Sequence, residues 1–106
     1  MKNNYLLFEA KGLMQRVAID SILFARSKRN YCSVHTGHGI HHLRCSLQNL
    51  IAYPNLDGMV QIHRSFAVNI HQVTGLRRNE VLIHQVRLPL ARNIFKKVHE
   101  VFLDSP

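Results

Sequence analysis

Carboxylates are the scarcest chemistry in this chain. Six Asp and Glu face fourteen Lys and Arg in 106 residues, which leaves a net charge of +8 with the histidines neutral. General acid–base catalysis needs buried, positioned titratable groups, whereas Asp20, Asp57, Glu80 and Asp104 sit in turn-like, exposed contexts. No glycine-rich phosphate loop is present, and neither are Cys-x-x-Cys, His-Glu-x-x-His or a calcium loop. The chain is therefore expected not to be an enzyme and to hold no cofactor and no metal. No apolar run has the length that crosses a bilayer, and the opening MKNNYLLFEAKG is too short and interrupted for a signal peptide. A cytoplasmic protein without a membrane partner is the expectation. Two cysteines, Cys32 and Cys45, are too few for a disulfide framework and read as a reduced pair, although neighbouring strands would allow an adventitious bridge.

What is present is an ordinary globular composition, 46% apolar, in a length that suits one domain over residues 1–106. The charge surplus is less ordinary. A positive field of this size on a small domain usually matches a polyanion, the plain alternative being a solubilising surface. Arginine outnumbers lysine nine to five, and guanidinium is the better reader of phosphates and base edges.

No internal repeat or long linker divides the chain. Short turn signals do: Lys11-Gly12, Lys28-Arg29-Asn30, Thr36-Gly37-His38-Gly39, Pro54-Asn55, Asp57-Gly58, Arg78-Asn79 and His84-Gln85. Between them lie ten runs of strand length and composition. They are Tyr5–Glu9, Gln15–Ala18, Ile22–Ala25, Tyr31–Thr36, Ile40–Arg44, Val60–His63, Ala67–Asn69, Val73–Arg77, Glu80–Ile83 and Val86–Leu88. So many short strands at close spacing predict a mostly antiparallel, all-β domain. Two segments change period. Ser46 to Tyr53 starts on a good N-cap and stops before Pro54, which predicts a short helix. From Leu90 onward, Leu90, Ile94, Val98 and Val101/Phe102 recur at helical spacing, with Arg92, Lys96 and Lys97 off that stripe.

Two catalytic-looking or metal-like patterns weaken on inspection. His35, His38, His41 and His42 cluster, but in a strand His41 and His42 point to opposite faces, and the segment reads better as a hairpin with surface histidines. His63 and Ser65 share a strand face only as neighbours, with no Gly-x-Ser-x-Gly elbow around the serine. His63 is then expected to pack or hydrogen-bond at a strand end, with Phe66 and Val68 turned inward and Asn69 capping the next turn. There remain four polar and basic clusters in turns: Arg26/Lys28/Arg29/Asn30, His63/Arg64/Ser65, Arg77/Arg78/Asn79 and Arg92/Asn93/Lys96/Lys97. Any one alone would pass for a solvated loop. Four together, on a basic chain, point to nucleic acid.

The same segments carry a resemblance. Residues 15–24, QRVAIDSILF, resemble the opening of the LytTR (LytR/AlgR-type) DNA-binding domains of bacterial response regulators. Asn30-Tyr31 followed by His35-Thr36, then Arg44-Cys45-Ser46-Leu47 with Leu50, are similar to that family's next two motifs. Ile62-His63-Arg64-Ser65-Phe66-Ala67-Val68-Asn69 is the most specific match, and Arg78-Asn79-Glu80-Val81 and Leu88 to Lys97 complete it. The likeness covers about residues 4–102 in the right order. It departs at Ala25, where the family often has Glu, and at Ala91, where it often has Ser, removing one phosphate contact.

The resemblance implies an elongated β-sandwich of about ten short strands in three antiparallel sheets, with short helical turns and a C-terminal helix. It implies loops that enter successive major grooves of bent, double-stranded DNA at repeated sites, with room for a homodimer on DNA. Carried over by position, Asn30, Arg64 and Arg92 would read bases with help from Arg29. Lys28, Ser65, Asn93, Lys96, Lys97 and Arg26 would hold the DNA backbone. Arg77 and Arg78 gain no such role and are left as charge steering or a turn. The expected function is sequence-specific DNA binding in transcription regulation, as a stand-alone regulator or as the output domain of a response regulator. The chain is too short to include a receiver domain. The competing readings are a protein-interaction or sensory β module, and a metal-binding β domain built on the histidine-rich hairpin.

Overall fold

The computed structural model describes residues 4–54 and 56–104; of the turn signals, Pro54-Asn55 falls partly on residue 55, outside the described residues. Ten strands form in the order the sequence predicts: β1 (Tyr5–Ala10), β2 (Leu13–Ala18), β3 (Ile22–Ser27), β4 (Cys32–Thr36), β5 (Gly39–Leu43), β6 (Met59–His63), β7 (Phe66–Asn69), β8 (Gly75–Arg77), β9 (Glu80–Ile83) and β10 (Val86–Pro89). Two helices, α1 (Leu47–Ile51) and α2 (Phe95–Asp104), and three single 3-10 turns complete the described chain. All strand pairs are antiparallel and fall into three sheets: β1-β2, β10-β9-β8 and a central β5-β4-β3-β7-β6.

The local chemistry explains these elements. Lys11 and Gly12, at φ 54° and 76°, make the left-handed two-residue turn that matches the twist of the β1-β2 hairpin. Ser46 caps α1 by accepting the Asn49 amide at 3.1 Å. Asn69 does two jobs: its Oδ1 accepts the His71 amide at 3.1 Å, and its Nδ2 donates to the Ile22 carbonyl at 2.9 Å. The expected cap at Asn69 is thus present, and it also ties the end of β7 to the start of β3.

The central sheet buries both faces, in two separate clusters. One face, from Ala25, Cys32, Val34, Leu43 and Ala67, packs on Leu6 and Val17 of the first hairpin and on Leu47 and Leu50 of α1. The other face, from Phe24, Ile62 and Val68, packs on Val81, Ile83, Leu88, Leu90 and Val98. Burying each Val, Leu or Ile stabilises the fold by about 1.5–3 kcal/mol, so these clusters fix the sheet order. Phe66 joins the second cluster at its margin, as its shared face with Val68 predicts.

Most strands begin or end one or two residues from expectation, and two boundary differences have a clear physical cause. β8 starts at Gly75 rather than Val73, because a 3-10 turn over Ile70–Gln72 still holds the Val73 amide through Ile70 O at 3.3 Å. The last helix does not start at Leu90. The amides of Leu90 and Ala91 are taken by Asn79 O at 3.0 Å and Ile62 O at 2.8 Å, so the chain stays extended until a 3-10 turn at Arg92–Ile94 leads into α2. Long-range bonds override the helical period there. Along α2, Val98 is buried while Lys96 and Lys97 stay exposed.

Candidate nucleic-acid interface

Strand direction decides which loops meet. Arg26 of β3 lies opposite both Ser33 of β4 and Phe66 of β7, so the loop after β3 and the turn before β7 emerge at one end of the central sheet. The first loop, Lys28 to Tyr31, closes on itself through Lys28 N donating to Tyr31 O at 2.8 Å and carries Arg29 and Asn30 on its outside. The second is a two-residue turn, Arg64-Ser65, between β6 and β7. Ser27 N donates to Ser65 O at 2.8 Å and stitches the two together. The third segment joins through Ala91 N and Ile62 O, one residue before Arg92 and two before Arg64. Three stretches far apart in sequence are therefore held side by side by backbone bonds, not by their functional side chains.

Of the ten residues expected to contact DNA, nine are exposed: Arg26, Lys28, Arg29, Asn30, Arg64, Arg92, Asn93, Lys96 and Lys97. Ser65 is half-buried. Arg92, Asn93 and Lys96 share one open hollow, whereas Lys97 turns to a groove beside α1 and β6, away from the others. Arg26 sits slightly back from the tip, its guanidinium 5.6 Å from the Phe66 ring centre. The segment IHRSFAVN has nothing of a catalytic pair: His63 Nδ1 accepts the Ser65 backbone amide at 3.1 Å, and its ring meets Phe66 edge-on at 5.9 Å. His63 shapes the turn that presents Arg64.

The charges are sorted along the sheet. Asp20 precedes β3 and Asp57 precedes β6, so both line a hollow at the end opposite the basic loops. Farther along the sheet, where β4 pairs with Phe24 of β3, His35 stacks on Phe24 at 4.2 Å, and its pKa is held below the usual histidine value by burial, then by His42, Lys28 and Arg26. For two parts of this surface the sequence does not give the placement. Arg78 and Asn79, from the one basic cluster to which the resemblance gives no contact role, line the same hollow as Arg92, Asn93 and Lys96. Exposed Arg44 follows Leu43, the partner of Cys32, and so arrives at the loop end of β5. No local pattern gives either position, since both depend on which strand lies next to which.

The histidine-rich hairpin sends its rings apart. His41 meets Phe8 at 5.7 Å on one face, and His42 meets Tyr31 at 5.3 Å on the other. Among the described residues no three His, Cys, Asp or Glu converge to hold a metal, and no helix is long and apolar enough to cross a membrane. Cys32 and Cys45 are free thiols, with Cys32 Sγ donating to Cys45 O at 3.3 Å. Burial, reinforced by the neighbouring Cys45, pushes the Cys32 thiol up to about 11, and burial also raises Cys45. Since the thiolate is the reactive form, iodoacetamide at neutral pH should modify half-buried Cys45 first and Cys32 only after urea unfolds the chain. Mass spectrometry of the labelled peptides checks this, and equal native labelling would contradict the burial of Cys32.

Comparison with known proteins agrees with this geometry. Residues 13–102 match the model of the LytTr DNA-binding domain family. A response regulatory protein of Vibrio cholerae serotype O1, itself uncharacterized, is 29% identical over 85 residues. That match covers 72% of this chain and 33% of the relative, so the chain spans about a third of its length. Among solved structures, the LytTr DNA-binding domain of a Bacillus cereus protein described as a methyl-accepting/DNA response regulator has the same fold. It superposes with a TM-score of 0.73 at 16% identity, covering 96% of this chain and 98% of that one.

Proposed function

The chain belongs to the LytTR DNA-binding domain family, a non-catalytic family, and from that premise we propose that it binds double-stranded DNA sequence-specifically in bacterial transcription regulation. The observation that supports this best is the convergence of the three loops. Backbone bonds from Ser27 to Ser65 and from Ala91 to Ile62 hold exposed Asn30, Arg64 and Arg92 along one end of the sheet, with Asp20 and Asp57 at the other. Arg64 and Arg92 read guanines through their paired donors, Asn30 reads a base edge, and Arg29 assists. Lys28, Arg26, Ser65, Asn93 and Lys96 hold phosphates, which fixes register without reading sequence. Lys97, expected among them, faces the groove beside α1 and β6 and adds only long-range positive charge. The loops occupy successive major grooves of repeated sites, where two copies bind together. In this reading residues 1–106 form one domain, cytoplasmic, acting alone or as the output half of a regulator whose receiver domain lies elsewhere in the protein.

Selection of bound sequences from a random duplex pool tests the proposal directly: a shared motif is expected, and no enrichment would favour a protein-interaction module. On the selected duplex, log affinity should fall with log salt by about 0.9 per phosphate neutralised. Arg92→Ala should relax base preference at one position, whereas Lys28→Ala should weaken selected and scrambled duplexes alike. If both variants lose affinity equally on both duplexes, Arg92 is not a base reader.

A further inference from the structure

Two adjacent arginines in the β8-β9 turn have opposite surroundings. Arg77 is neutralised, its Nε 3.3 Å from Glu80 Oε1. Arg78 has no carboxylate partner among the described residues; its guanidinium lies 5.4 Å from the ring centre of Phe95, the first residue of α2. A cation on an aromatic face keeps its outward N–H donors free while its position is held. The same turn is bonded to the third DNA-facing segment, Leu90 N donating to Asn79 O at 3.0 Å. Arg78, Asn79, Asn93 and Lys96 thus surround one open hollow beside Arg92, and no acidic side chain lines it.

Resting on the DNA-binding reading, we infer that this hollow is a phosphate cradle and that the β8-β9 turn is a fourth DNA-contacting element. Arg78 and Lys96 supply the charge and Asn79 and Asn93 supply neutral donors for one backbone phosphate. That phosphate lies next to the base pair Arg92 reads, so its capture sets the register of that arginine. Arg78 is a positioning residue here, not a base reader. Phe95 holds the guanidinium at the hollow, which both residues line.

The test compares Arg78→Ala with Arg77→Ala, which remove the same charge from the same turn. Affinity is measured for the selected duplex and a scrambled one across a salt series, with thermal melts showing that both variants fold. Arg78→Ala should bind both duplexes on the order of tenfold more weakly, with a salt slope shallower by about one. Arg77→Ala should stay within about twofold, because exposed Arg77 does not line the hollow and its loss changes only the screened long-range field. Duplexes with a single neutral methylphosphonate add the decisive readout: one position should weaken the wild-type protein and leave Arg78→Ala indifferent. Equal losses for the two arginines would reduce the turn to diffuse steering and overturn the cradle, as would an unchanged Arg78→Ala. Should Arg92→Ala relax base preference while Arg78→Ala does nothing, the cradle alone fails. Absence of DNA binding by the wild-type protein would remove the DNA reading and the cradle together.

Discussion

Arg64→Ala is expected to weaken binding to the selected duplex by about 5- to 150-fold, the range that corresponds to about 1–3 kcal/mol for a good bidentate base contact. The loss should be far smaller on a scrambled duplex, because only the phosphate-holding charge is lost there. The fold should not suffer. Arg64 is exposed, and the turn it occupies is fixed by the Ser65 amide on His63 Nδ1 and by Ser27 N on Ser65 O. Arg64→Lys separates charge from geometry: lysine restores the cation without the planar fork, so it should recover affinity for scrambled DNA but not base discrimination. Quantitative gel shifts with single-base variants of the site read both effects. Equal losses on selected and scrambled DNA would remove Arg64 from the base readers.

The second large effect is on stability. Ile62→Ala should destabilise the protein by about 2–5 kcal/mol, and Ile62→Val by about 0.5–1.5 kcal/mol. Ile62 is fully buried, at 0% exposure, among Phe24, Val68, Val81, Leu88, Leu90 and Val98. Its side chain therefore sits where the central sheet, the β10-β9-β8 sheet and α2 meet, and a cavity there has little freedom to collapse. Urea unfolding followed by far-UV circular dichroism measures the change. A shift under about 1 kcal/mol for the alanine variant would mean that this cluster is not packed as described. Because Ile62 also offers the carbonyl that holds Ala91, partial unfolding at this site should weaken DNA binding without altering base preference.

The strands were legible because their signals are local. Runs such as Val34 within Tyr31–Thr36 and Val68 within Ala67–Asn69 are β-branched and bounded by turn residues, and each lies on a strand. The caps at Ser46 and Asn69 are likewise written in one side chain and its neighbours. The start of the last helix was misread for the opposite reason. Leu90 has a good helical period with Ile94 and Val98, but its amide is claimed by Asn79, far back in the chain. The candidate site divides along the same line. Basic turns can be picked out one at a time, and the motif resemblance supplies their roles, but their meeting at one end depends on β3 pairing with both β4 and β7. Arg77 and Arg78 look alike in sequence; only the Glu80 contact on one and the Phe95 ring beside the other tell them apart.

The bonds between loops have a mechanical consequence for the partner. Ser27 to Ser65 and Ala91 to Ile62 tie the reading residues to one β framework, so their mutual distances behave as the marks on a rigid gauge. A duplex that meets such a gauge has to supply the adjustment itself, through roll at its base steps. Pyrimidine–purine steps deform most easily, so the preferred sites should carry such steps between the contacted bases, at positions no side chain touches.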